Sequence, residues 1–187
     1  MYMAWDRYQR TNRGKNIDVE FITGMPTMFS VPKYSAALNT LRESRGIGAR
    51  FEHNLTGIDV AARKATFKPL NAKDGAESVE VDYTLLHVTP PMGPLDAIKN
   101  SPLADSVGWV NVDEKTLRHK NPEFGNVFAL GDCSSLPTSK TAAAITAQAP
   151  VLAENLVSVL RTGEVGKATY DGYTSCPVSL VNDSQSF

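Results

Sequence analysis

The sequence predicts an α/β fold of the Rossmann-like, dinucleotide-binding kind with a β-meander inserted into it. Three observations carry this expectation. Asp18-Val-Glu-Phe-Ile-Thr alternates towards Gly24, and Pro32 then opens a helical run, which is the strand–loop–helix order of half a parallel α/β unit. Residues 49–83 break into short, polar-interrupted, strand-like runs. Finally, Asn126-Val-Phe-Ala-Leu-Gly-Asp reads as a short buried strand that runs into a turn ahead of a long helix.

In chain order, Tyr2, Trp5 and Tyr8 recur at helical spacing, so residues 1–13 are expected to end a helix. The helix expected over 32–45 has Pro32 in its first turn and Gly46 at its end, with Tyr34, Ala37, Leu38 and Leu41 on one face. The meander is expected from Arg50–His53, Leu55–Val60, Ala65–Pro69 and Ser78–Tyr83, with a turn at Asn71-Ala-Lys-Asp-Gly. Thr84–Thr89 reads as an apolar strand halted by Pro90-Pro91, and residues 90–94 as a loop. Ser139–Leu160 reads as one helix, capped by Ser139 or Thr138, kinked or split by Pro150 and ended by Gly163. The expected division is residues 1–108, part of one dinucleotide-binding-like domain with the meander, and residues 109–187, the closing part of another.

Composition narrows the function classes. With 21% charged and 42% hydrophobic residues, the 187-residue chain is globular, large enough for one domain or two partial ones. A net charge of −1 gives no reason to expect nucleic acid. No apolar run reaches the roughly 18 residues of a membrane span. The longest, near Ala142–Leu160, is broken by Gln148, Glu154 and Asn155. The basic, aromatic N-terminus lacks the apolar stretch of a secretory signal and, with its Asp6, the composition of a transit peptide. Two cysteines, Cys133 and Cys176, are too few for a disulfide scaffold and lack zinc-ligand spacing, while His53, His87 and His119 stand isolated, as structural or solvated histidines do.

The chemistry concentrates in Asn126–Ala149. A strand there delivers Gly131-Asp132 to the carboxyl edge of a sheet, where open α/β sheets bind ligands. Asp132 can accept hydrogen bonds from sugar or ribityl hydroxyls. The helix behind it presents an N-terminus that favours negative charge, and the small residues Thr141–Ala144 let a flat ligand approach the backbone. Lys140 has two readings: a solvated side chain opposing the helix dipole, or a cation that joins the helix end in stabilising an anion. Cys176 reads either as an inert surface thiol before Pro177 or as a reactive one, and Cys133 as a small residue filling a tight turn. Spacing leaves a Cys133–Cys176 disulfide open.

Strand–Gly-Asp–loop–helix resembles the second FAD-contacting segment of flavoproteins with two dinucleotide-binding domains. The whole string from Gly131 to Leu156, GDCSSLPTSKTAAAITAQAPVLAENL, is much narrower and resembles the mitochondrial type of sulfide:quinone oxidoreductase. Tyr170-Asp-Gly-Tyr-Thr-Ser-Cys-Pro-Val, Leu86-His-Val-Thr-Pro-Pro-Met and Gly108-Trp-Val-Asn-Val-Asp resemble further landmarks of that family, in the same order. The resemblance implies that FAD is the cofactor. Gly131 and Asp132 would lie at its ribityl chain, and Lys140 with the backbone of Thr141 and Ala142 would face the isoalloxazine. Cys176 would be one of two cysteines forming a catalytic disulfide that sulfide attacks. Electrons would pass to a quinone and the sulfane sulfur to a small acceptor, in an enzyme associated peripherally with the mitochondrial inner membrane.

The chain departs from the family in two ways. Gly46-Ile-Gly48-Ala-Arg-Phe lacks the third glycine of a phosphate-binding loop and follows a helix instead of preceding one. No cysteine precedes Cys133 to partner Cys176. A fragment that binds FAD weakly or not at all, and turns over no sulfide by itself, is therefore expected. The competing expectations are another flavoprotein of this build, such as a quinone-reducing NADH dehydrogenase, and a non-catalytic remnant.

Overall fold

The computed structural model describes residues 1–11, 13–71 and 77–180. The chain divides into two compact units, one formed by Met1–Thr89 with the end of the chain from Ser179, the other by Pro90–Val178. Pro90-Pro91, which can continue neither helix nor ladder, opens the second unit.

The first unit begins with α1 (Tyr2–Arg10), then β1 (Glu20–Ile22), α2 (Pro32–Ser44) and β2 (Gly48–Arg50). β1 and β2 pair in parallel, Glu20 opposite Gly48 and Ile22 opposite Arg50, so α2 is the crossover of a β–α–β unit. Pro32 occupies the first turn of α2, and Gly46, at φ +66°, ends it before the buried Ile47. The inner face of α2 differs from the expected one. Ser35 is buried, with Leu38 and Arg42 partly so, while Tyr34 is 57% exposed and meets Phe29 edge-on. Polar bonds set this rotation: Arg42 Nη1 donates to Ile47 O at 2.5 Å, and Tyr2 Oη donates to Leu38 O at 2.5 Å.

Arg50 therefore completes the parallel pair and does not start the meander, as the sequence led us to expect. Glu52, at φ +58°, turns the chain into β3 (His53–Asp59), which pairs antiparallel with β4 (Lys64–Pro69), and β4 with β5 (Val79–Asp82). Ala65 and Phe67, alternate residues of β4, are buried on one face. Of the predicted turn after β4, only Asn71 lies within the described residues. Thr84–Thr89 is not a strand. Among the described residues no strand pairs with it, and Leu85 is 75% exposed.

In the second unit, α3 (Asp96–Lys99) and α4 (Ala142–Thr162) flank long irregular segments held by isolated bridges. Val110, Val112, Leu117, Ala129, Leu136 and Tyr170 form its core, with Ala147, Val151 and Leu152 of α4 against them. Leu117 is fully buried at φ +65°. The turn before it is held by Asp113 Oδ1, which accepts from Lys115 N, Thr116 N and Thr116 Oγ1 at 3.1, 2.8 and 2.9 Å. Burial pushes the Asp113 carboxyl up, but these bonds and the nearby Lys120 outweigh it, and the net shift is downward.

Two expectations about the segment from Asn126 to Leu160 need correction. Val127–Leu130 is extended but not a ladder strand: Phe128 makes a single bridge to Arg118, and Ser134 one to Val110. The helix starts at Ala142 with Thr141 as its cap, because Thr141 Oγ1 accepts from Ala144 N at 3.1 Å. Pro150 does not split α4, and Gly163, at φ +80°, ends it with its N–H on Val159 O. Among the described residues, α4 is long and apolar enough to cross a membrane by length and composition. Its buried Gln148 and Asn155 nevertheless bond to backbone of their own unit, as in a packed helix.

Candidate flavin-facing turn and cysteine segment

Gly131–Cys133 forms a single tight turn. Gly131 has φ +67°, and a Cβ there would stand 3.1 Å from Ile145 of α4, so the turn needs glycine for both its conformation and its fit. Its N–H is buried and donates to Gln148 Oε1 at 2.8 Å, and its carbonyl accepts from Ser134 Oγ at 2.7 Å. The helix thereby holds the turn from behind, while Asp132 is exposed. Cys133 Sγ lies 3.3 Å from Leu130 O inside the turn, the small-residue role expected of it. Cys133 and Cys176 are both free thiols, so no disulfide joins them.

Lys140 lies just before the cap of α4, not in its first turn. Its ammonium donates to Ser134 O at 2.6 Å and sits 4.2 Å from the Trp109 ring centroid. The side chain is therefore not freely solvated. Burial lowers the pKa of the Lys140 amine, while Asp132, Cys133 and Asp105 act in the opposite sense.

The N-terminal turn of α4 has donors to offer. Thr141 caps Ala144 N, and Ala142 and Ala143 have no intrahelical acceptor for their N–H groups. Ala142 is exposed and carries only a methyl group. The tail containing Cys176 meets this same end: Thr174 Oγ1 lies 2.9 Å from Thr141 Oγ1 and donates to Ser139 O at 3.2 Å. Two residues span at most about 7 Å, which limits how far the exposed Cys176 stands from Thr174. Gly131, Asp132, Lys140, Thr141 and Ala142 thus lie on two adjoining loops, and the cysteine segment joins them through Thr174.

Sequence reasoning missed four contributors: Gln148, Asn155, Trp109 and Thr174. The first two had a signal. They interrupt an apolar helix seven residues apart, two turns along one face. Asn155 Nδ2 donates to Thr116 O and Ala168 O at 3.1 and 3.0 Å, tying α4 to the core loop and to the lead-in of the tail. Trp109 and Thr174 had none, because their roles depend on loop conformation. His119 is buried, with its ring nitrogens on Leu103 O and Asn121 N, which is a structural role.

No protein-family model matches the chain. It is 48% identical over 180 residues, 95% of its length, to a mitochondrial sulfide:quinone oxidoreductase of Schizosaccharomyces pombe, and 41% identical over 178 residues to that of Mus musculus. The chain is a homologue of part of the mitochondrial sulfide:quinone oxidoreductases. It spans 38% of the length of each of these two relatives. The crystal structure of the sulfide:quinone oxidoreductase of Aquifex aeolicus superposes on 86% of the chain and 39% of that structure's chain, with a TM-score of 0.68 at 16% identity. At that identity the likeness establishes the fold alone: α/β and Rossmann-like, with the meander described above.

Proposed function

We propose that this chain is part of an FAD-dependent sulfide:quinone oxidoreductase, in which Cys176 is one of the two cysteines that oxidise sulfide. The Gly131–Asp132 turn and the start of α4 would hold the flavin. The observation that carries this reading is the hydrogen bonding of Thr174 to Thr141 and Ser139, which brings the cysteine segment to the helix end with open N–H groups.

The residues present suit a flat, hydroxylated, anionic group. Asp132 is exposed and would accept from ribityl hydroxyls. The N–H groups of Ala142 and Ala143 would donate to an oxygen that gains negative charge, with the helix dipole acting in the same sense. Gly131 keeps Cβ atoms out of the turn, and Lys140 adds positive charge behind it. When bound, FAD supplies two-electron chemistry between thiol and quinone.

In the sulfur chemistry, hydrosulfide attacks one sulfur of a cysteine disulfide and the sulfur–sulfur bond breaks. One cysteine becomes a persulfide and the other a thiolate. A small nucleophilic acceptor would then take the sulfane sulfur and leave two thiolates, and these would re-form the disulfide as their electron pair is given up, by way of bound FAD, to the quinone. The second cysteine of the pair would belong to the part of the relatives' length that this chain does not cover. The reading places the protein at the mitochondrial inner membrane, in peripheral association.

The test is an absorbance titration with sulfide of the full-length flavoprotein carrying this segment, alongside its Cys176→Ser variant. Bleaching of the flavin band in the parent and its loss in the variant is the expected result. Unchanged bleaching in Cys176→Ser removes Cys176 from the reaction. The 187-residue chain alone is expected to retain little or no flavin, and saturable FAD binding by it would contradict this.

A further inference from the structure

We infer that Thr174 is a positioning residue for Cys176, anchoring the cysteine segment to the cap of α4 through a directional pair of hydroxyls. This rests on the role proposed above for Cys176. Thr174 Oγ1 donates its one proton to Ser139 O at 3.2 Å. In its 2.9 Å contact with Thr141 Oγ1 the donor is therefore Thr141, which also accepts the Ala144 N–H at 3.1 Å. Each hydroxyl donates once and accepts once, so one proton arrangement satisfies all four groups.

A second clamp holds the same stretch four residues earlier. Tyr170 is buried, and its phenol donates to Tyr173 O at 2.6 Å and lies 3.3 Å from Thr138 Oγ1. Tyr173 N in turn donates to Asp171 Oδ1 at 3.0 Å, across Gly172 at φ +86°. The stretch is therefore held to the Thr138–Thr141 loop at its two ends, Tyr170 and Thr174, and braced internally between them, whereas Ser175 and Cys176 are exposed. A thiol that must alternate between a nucleophile and a flavin needs such an arrangement: a fixed base with a free reactive end. Serine keeps the hydroxyl that this requires, and valine keeps only the shape.

The test compares Thr174→Val with Thr174→Ser in the full-length flavoprotein, by steady-state turnover of sulfide. Thr174→Val should lower kcat about tenfold with KM changed less than about threefold, because misplacing a reacting group costs rate and not substrate affinity. Thr174→Ser should recover most of the loss. A parental kcat in Thr174→Val, or a Thr174→Ser variant as slow as Thr174→Val, overturns the inference. Amide hydrogen exchange on the folded 187-residue chain gives an independent reading. Thr174→Val should speed exchange severalfold at Tyr173, whose N–H is held by Asp171 Oδ1, and leave Ala147–Leu152 unchanged; unchanged exchange at Tyr173 also overturns the anchor. Full sulfide turnover in Cys176→Ser defeats the role of Cys176 itself. Loss of turnover in Cys176→Ser with parental turnover in Thr174→Val defeats only the positioning role.

Discussion

Replacing Gln148 by leucine tests how the turn at Gly131 is held. The two side chains are of similar size, and Gln148 is only 2% exposed, so leucine fills the same space and removes only the amide. What disappears is the acceptor for the buried Gly131 N–H, now 2.8 Å from Gln148 Oε1. A buried donor left unpaired costs about 1–3 kcal/mol, and burial of the extra apolar atoms offsets part of that. For a unit of this size each kcal/mol corresponds to roughly 4–8 °C in the unfolding midpoint, so a net loss of about 1 kcal/mol in Gln148→Leu should lower Tm by roughly 4–8 °C. The assay is thermal unfolding of the 187-residue chain followed by circular dichroism. A Tm within about 1 °C of the parent would mean that the Gly131 amide finds another partner, and α4 would then not be what fixes the turn.

Two further predictions follow from the same unit. Gly131→Ala should destabilise by about 1–2 kcal/mol, because the position is left-handed and the new methyl meets Ile145. Trimming Ile145 to alanine in the same chain should relieve the contact but not the backbone term, so a double variant as stable as Ile145→Ala alone would refute the conformational part. Asp113→Asn should weaken the turn before Leu117 at neutral pH and lose that effect in acid. The folded-state pKa of Asp113 lies below its unfolded value, so its stabilisation is complete above about pH 4 and disappears as pH falls through the folded pKa. Equal gaps in Tm between parent and Asp113→Asn at pH 7 and at pH 3 would contradict this.

The elements that could be read from the sequence are those whose signals are local. Pro32 and Gly46 bracket α2 because a fixed φ and a left-handed φ are properties of single residues, and Gly163 ends α4 for the same reason. The three-stranded meander was legible because alternation and turn residues repeat within a few positions. The failures are where neighbours decide. Thr84–Thr89 has the composition of a strand, but a strand is a pairing, and no partner meets it among the described residues. Val127–Leu130 is extended as expected, yet it has a single bridge, from Phe128 to Arg118, instead of a ladder.

The site divides along the same line. That Gly131, Asp132 and the start of α4 lie together follows from their nearness in sequence, and Gly131 is legible because only glycine suits its φ. Lys140 was legible as unusual but not as to its contacts, since its amine turns to Ser134 O and Trp109, and Trp109 is 31 positions away. Thr174 lies in a stretch that resembles a family landmark, but its contact carries no signal, because its partner Thr141 stands 33 positions earlier. Gln148 and Asn155 lie between these cases. An amide in the middle of an apolar helix signals that something buried needs a hydrogen bond, since water cannot supply it there. Which group needs it is a tertiary fact: the Gly131 N–H in one case, the carbonyls of Thr116 and Ala168 in the other. Two of the residues that interrupt the apolar run Ala142–Leu160 in the sequence are therefore what fastens α4 in its unit, Gln148 to the Gly131 turn and Asn155 to Thr116 and Ala168.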